Sequence, residues 1–172
     1  MSDPSRPADD GHTTAAGSPH RLATLSLDPG SIRRGNANIE HEREVAIYDI
    51  LEANSFELVG RDDGPYDLVL SVADDRLVMS ISPASGGEAV LVNLPMVPLR
   101  RVIKDYFLVC ETYFAAIRTA PPSRIQQIDT GRRALHDEGA KALSERLVDR
   151  IKLDATTARR LFTLVCALHW RG

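Results

Sequence analysis

The sequence predicts an α+β fold, an antiparallel β-meander sheet of about four to five strands with four to five helices packed on one face. Three observations carry this expectation. Apolar side chains alternate with a period of two between residues 66 and 94, helical spacing dominates from Pro98 onward, and strands are not interleaved with helices as in a parallel βαβ array. The 172 residues, 43% hydrophobic and 26% charged, suit one soluble domain with a real core.

Residues 1–20 mix Pro, Gly, Asp, Ser and Thr with almost nothing to bury, so they read as a disordered N-terminal tail. Residues 21–172 read as a single domain. RLATLSLD (21–28) alternates as a half-buried strand closed by Pro29-Gly30. A helix follows, with Asn38 as the expected N-cap, Glu40, Glu42 and Glu44 at the positive end of its dipole, and an apolar stripe through Val45, Tyr48, Ile50 and Leu51. Phe56, Leu58 and Gly60 return the chain to sheet. YDLVLSVA (66–73), RLVMSIS (76–82) and EAVLVNL (88–94) then form three strands, joined by the Asp74-Asp75 turn and the loop at 83–87.

From Pro98 to Arg118 the period changes, and Leu99, Val102, Ile103, Tyr106, Val109, Cys110, Tyr113, Phe114 and Ile117 cover well over half a helical wheel. This breadth predicts the central helix of the core. Pro121-Pro122 resets the chain. Ile125, Ile128, Leu135, Leu143 and Leu147 then mark a helical stretch to about Arg150, either one long helix or two shorter ones, with bends possible at Gly131 and Gly139. Asp154 caps a last helix that buries Ala158, Leu161, Phe162, Leu164, Val165 and Leu168.

Charge is nearly balanced, at −3, which argues against a general nucleic-acid binder, and no apolar run reaches the roughly 18 residues of a membrane span. Tyr66 is the only aromatic in the meander, which leaves little for successive bases to stack on. With no apolar signal segment the expected compartment is the cytoplasm. Cys110 and Cys166 lie in apolar stretches and read as reduced, buried thiols.

KDYF (104–107), CETYFAAIRTAPPSRIQQIDTGRRALHDEGA (110–140) and TARRLFTLVCALHWRG (157–172), with NIEHEREVAIYDILEAN (38–54) and ASGGEAV (84–90), resemble uncharacterised protein family 0262, a group of small bacterial proteins. The resemblance covers nearly everything after the tail. It implies no activity, and no functional residue comes with it.

The residues themselves offer one constellation. In DTGRRALHD, Asp129, Arg133 and His136 fall in one helical stripe with Arg132 beside it, so a carboxylate, guanidinium groups and an imidazole converge. Such a set suits anion binding, or a carboxylate orienting a histidine for proton transfer; the plain alternative is a solvated face with an Asp129–Arg133 pair. Glu40, His41, Glu42 and Glu44 superficially suggest a metal site, but acidic residues in a first turn are what the helix dipole favours, and no metal or cofactor motif occurs. Trp170, near Arg159 on the last helix, is either an anchor for a partner or a plug at the core edge.

Two functions follow as expectations. The first is a cytoplasmic binding or regulatory module that recognises a protein or a small anionic ligand through Arg132, Arg133, His136, Arg159 and Trp170. The alternative is a hydrolase or transferase using His136 with Asp129 or Asp137 and an arginine charge clamp. No cofactor is expected, and the oligomeric state is left open.

Overall fold

The computed structural model describes residues 18–169, so Trp170 and the tail through Gly17 lie outside the described residues. The elements run β1 (Leu22–Leu27), α1 (Ala37–Glu52), β2 (Phe56–Leu58), β3 (Tyr66–Ala73), β4 (Arg76–Pro83), β5 (Val90–Pro95), a 3-10 turn (Val97–Leu99), α2 (Arg100–Thr119), α3 (Pro122–Leu147), β6 (Ile151–Leu153) and α4 (Ala155–Leu168). The class is α+β.

The main sheet has the order β1-β3-β4-β5, and β3, β4 and β5 are the expected antiparallel meander. Asp74 turns the first hairpin with φ 55°, and Gly86 and Gly87 supply positive φ in the second connection. One strand departs from the expectation: β1 runs parallel to β3, because α1 carries the chain back across the sheet between them. A second departure is a separate two-stranded sheet, in which β2 pairs antiparallel with β6. Three residues are too few to show alternation, so Ile151–Leu153 read from sequence as the region beyond a helix.

Leu68, Leu70, Leu77, Met79, Ile81, Val92 and Leu94 point from the sheet into the core, while Val69 and Leu91 on the opposite face are exposed. Over the buried face the helices are ordered α1, α4, α3, α2. Contacts between neighbours fix their directions. Arg43 of α1 meets Ala167 of α4 and Arg160 meets Ala53, so α1 and α4 are antiparallel. His136 meets Thr163 in α4, and Tyr106 and Tyr113 of α2 meet His136 and Arg132, so α3 is antiparallel to both α4 and α2.

This order overturns the expected centre of the core. Only Val102 and Ile103 of α2 are buried, whereas α4 buries Leu161, Phe162, Leu164, Val165 and Cys166. α4 and α3 are both flanked by helices, and of the two it is α4 that carries the broad buried arc, α3 burying only Gly139, Ala140, Leu143 and Leu147. Burial of each large side chain contributes about 1.5–3 kcal/mol, so α4 carries much of the fold's stability. α3 is a single helix through Gly131 and Gly139. Gly139 is required by close approach: a Cβ there would sit 2.1 Å from Cζ of Phe162.

Caps behave as local chemistry dictates, with one shift in position. Asp154 accepts from the amide of Thr157 at 2.8 Å, as expected. On α1 the N-cap is Asn36, which accepts from the amide of Ile39 at 2.9 Å, and Asn38 lies inside the helix. Arg43, only 6% exposed, donates to the carbonyls of Ala167 (3.2 Å) and Arg33 (2.9 Å) and to the carboxylate of Glu40 (3.1 Å). Glu40 in turn accepts from the amide of Gly35 at 2.6 Å, so one buried cation joins the entry of α1 to the end of α4.

Candidate functional site

α1 and α2 stand at opposite ends of the helix order, yet they face one another across a trough whose floor is α4. The cavity measures about 1110 Å³. Ile39, Val45 and Ala46 of α1, with Phe107, Cys110 and Phe114 of α2, line its walls, and Thr163, Cys166 and Ala167 form its floor. The chain of antiparallel contacts makes α1 and α2 antiparallel across it. The apolar arc of α2 that sequence assigned to the core is therefore largely trough wall, with Phe114 63% and Leu108 52% exposed. Charged groups mark the rims: Glu42 and Asp49 from α1, Lys104 and Glu111 from α2, and Arg132 from α3.

Of the five residues expected to bind, four lie among the described residues, and their surroundings differ. Arg132 reaches the trough, its guanidinium 4.8 Å from the centroid of the Tyr113 ring and 2.6 Å from Asp129. Arg133 is solvent-exposed and also pairs with Asp129, at 3.0 Å. The two guanidinium groups, Arg132 foremost, hold the Asp129 carboxyl below its usual range. Arg159 sits 3.9 Å from Asp137, and the last of the five, Trp170, lies outside the described residues. Arg160, which follows Arg159 in sequence, donates to the carbonyls of Asp49 and Ala53 and so serves the end of α1.

His136 packs against the rings of Tyr106 and Phe162, with Nε2 2.7 Å from the Thr163 hydroxyl. Its partner is that hydroxyl, while Asp129 is taken by two arginines. Burial lowers the His136 pKa, and Arg159 and Arg132 add to this against an opposing pull from Asp137. The folded state therefore prefers the neutral ring. Stability linked to it is fully present above the ordinary value of 6.5 and is lost as pH falls through that value toward the lower folded one. Denaturant midpoints should thus drop between neutral pH and about pH 5, with a smaller drop in His136→Gln. An equal drop in both proteins would assign the effect to another group.

The thiols differ from expectation in one respect: Cys166 is buried, but Cys110 is only half-buried and lines the trough. Burial pushes both thiols up, away from the thiolate. The Tyr106 hydroxyl is pushed up too, first by burial and then by Cys110 beside it.

The trough was missed in sequence because periodicity shows how wide an apolar arc is without showing what covers it. A signal was present in Arg100, Lys104, Glu111 and Arg118, which together give a helix read as central a narrow polar edge.

No helix among the described residues is long and apolar enough to cross a membrane. A model of an uncharacterised protein family (UPF0262) matches residues 19–171. A UPF0262 protein of Azorhizobium caulinodans is 54% identical over 156 residues, 90% of this chain and 96% of its own. Another, of Rhizobium meliloti, is 53% identical over 152 residues, covering 88% and 96%. A third, of Brucella anthropi, is 51% identical over 160 residues, covering 92% and 99%. No solved structure matches the chain significantly. Matched from just before the first strand to the end of the last helix, the protein belongs to the bacterial UPF0262 family.

Proposed function

We propose that the protein is a protein-binding module and that its site is the trough between α1 and α2, which receives one amphipathic helix. The observation that carries this reading is the size of the trough. From Asn36 to Asp49 on one wall and from Arg100 to Phe114 on the other, it runs about 20 Å along the helices. A helix about 10–12 Å across, sunk to half its depth over that length, fills roughly 800–1,100 Å³. The cavity of about 1110 Å³ is of the same order and exceeds the roughly 300–1,000 Å³ of ordinary small-molecule pockets.

The chemistry agrees with the size. Apolar walls with charged rims suit a helix with one apolar stripe and flanking charges. Of the residues expected from sequence, Arg132 is the one that would touch such a helix. A small anion would have to displace Asp129 from it. Two free thiols fit a reducing compartment, consistent with work in the cytoplasm. The enzyme alternative draws no support from His136, whose ring nitrogen is engaged by a hydroxyl and whose neutral form sits among aromatic rings.

A photo-crosslinking residue placed at Phe114 tests the reading in living cells. The expected result is a covalent adduct with a polypeptide, mapping to an amphipathic helix, and none from the same residue at Leu91 on the open sheet face. No polypeptide adduct from position 114, or equal adducts from both, refutes the reading.

A further inference from the structure

The groove side of α2 carries Lys104, Phe107, Glu111 and Phe114, spaced by three, four and three residues, and all four line the trough. This spacing keeps them on one stripe of the helix. The order of their chemistry matters more than the spacing. A two-fold axis passing beside Phe107 sets Lys104 of each copy opposite Glu111 of the other, with the two Phe107 rings meeting between them. Self-pairing in this register satisfies two cations and two anions at once. Within the chain, neither Lys104 nor Glu111 takes part in an ion pair among the described residues, whereas Arg100 on the same helix is held by Asp75.

Resting on the reading of the trough as a helix-binding site, we propose that the helix it receives is α2 of a second copy of this chain. Each α2 then lies antiparallel to the other, between the α1 and α2 of the facing copy, and the pair closes a four-helix layer. Phe107 and Phe114 of one copy enter the trough of the other on the side of its α2, while Val45 of α1 lines the opposite wall. The interface is isologous, as a two-fold dimer requires.

Size supports this occupant. α1 and α2, of 16 and 20 residues, are about 24 and 30 Å long, and side by side they present on the order of 500–700 Å² in projection. That is close to the roughly 800 Å² of accessible surface per partner in a standard interface.

Charge reversal tests the register. Both Lys104 and Glu111 are exposed, so Lys104→Glu and Glu111→Lys should fold, with circular dichroism spectra like that of the wild type. Sedimentation of the full chain across a concentration series should show a wild-type dimer. Each single variant places two like-charged pairs across the axis and should raise the dimer dissociation constant at least about tenfold. Mixed in equal amounts, the two variants should recover a heterodimer of near wild-type affinity, because every cross pair is then attractive. A wild type that stays monomeric, a dimer indifferent to both reversals, or a mixture that does not recover overturns the proposal. The crosslink at Phe114 separates this failure from the broader one: an adduct with a different polypeptide leaves the trough a helix site but not a self-association site, and no polypeptide adduct removes both.

Discussion

Replacing Gly139 by valine should lower the stability of the protein by about 3 kcal/mol or more, the upper range for forcing extra volume into a packed core. The expectation is against helix propensity, which by itself favours most residues over glycine at an interior position by up to about 1 kcal/mol. Geometry decides the sign. Cζ, Cε2 and Cε1 of Phe162 lie 2.1, 2.4 and 2.5 Å from where a Cβ would stand, and that ring is buried among Tyr106, His136 and the rest of the core. It therefore has no free direction in which to move. Urea unfolding of Gly139→Val, of Phe162→Leu and of the double variant provides the check. The double variant should be more stable than the sum of the single losses implies, since a smaller side chain at 162 makes room. Additive losses would show that the ring is not the obstacle.

Arg43→Met should cost about 3 kcal/mol, although methionine fits an apolar setting and the arginine lies on a helix that also faces solvent. The loss comes from what the side chain leaves behind. The carbonyls of Ala167 and Arg33 lose their donors, and Glu40 keeps its charge with only the Gly35 amide beside it. Buried acceptors without donors are expensive, whereas an exposed ion pair is worth under about 1 kcal/mol. Hydrogen exchange should show faster opening at 33–40 and at the end of α4, while the meander keeps its protection. A loss below about 1 kcal/mol would place Arg43 among ordinary surface pairs.

Legibility in the sequence followed the range of each interaction. Period-two alternation in Tyr66, Leu68, Leu70 and in Leu77, Met79, Ile81 is set by a residue's own strand and its neighbours, so the meander was plain. Asp154 as a cap was equally local. The N-cap of α1 was displaced by two residues because Asn36 and Asn38 carry the same side chain, and only the turn geometry chooses between them. The parallel pairing of β1 and the union of β2 with β6 depend on partners far along the chain, which no local pattern encodes.

The site was legible only in part for the same reason. Asp129, Arg132 and Arg133 do meet, as i,i+3 and i,i+4 neighbours must on a helix. His136 was grouped with them by angle, yet its partner Thr163 comes from another helix. The trough is a relation between α1 and α2, more than forty residues apart in sequence. Its walls could be named as apolar but not as uncovered.

The placement of α4 bears on the order in which the molecule assembles. The meander needs only neighbouring segments, so its loops close at low entropic cost. α4 follows the other three helices in sequence, and Arg43 at the entry of α1 waits for Ala167 across 124 residues. Until α4 docks, the part of the apolar sheet face that lies between α1 and α3 is left without its cover. Early folding intermediates should expose that face, and the bacteria that make this protein must keep it from aggregating until α4 docks.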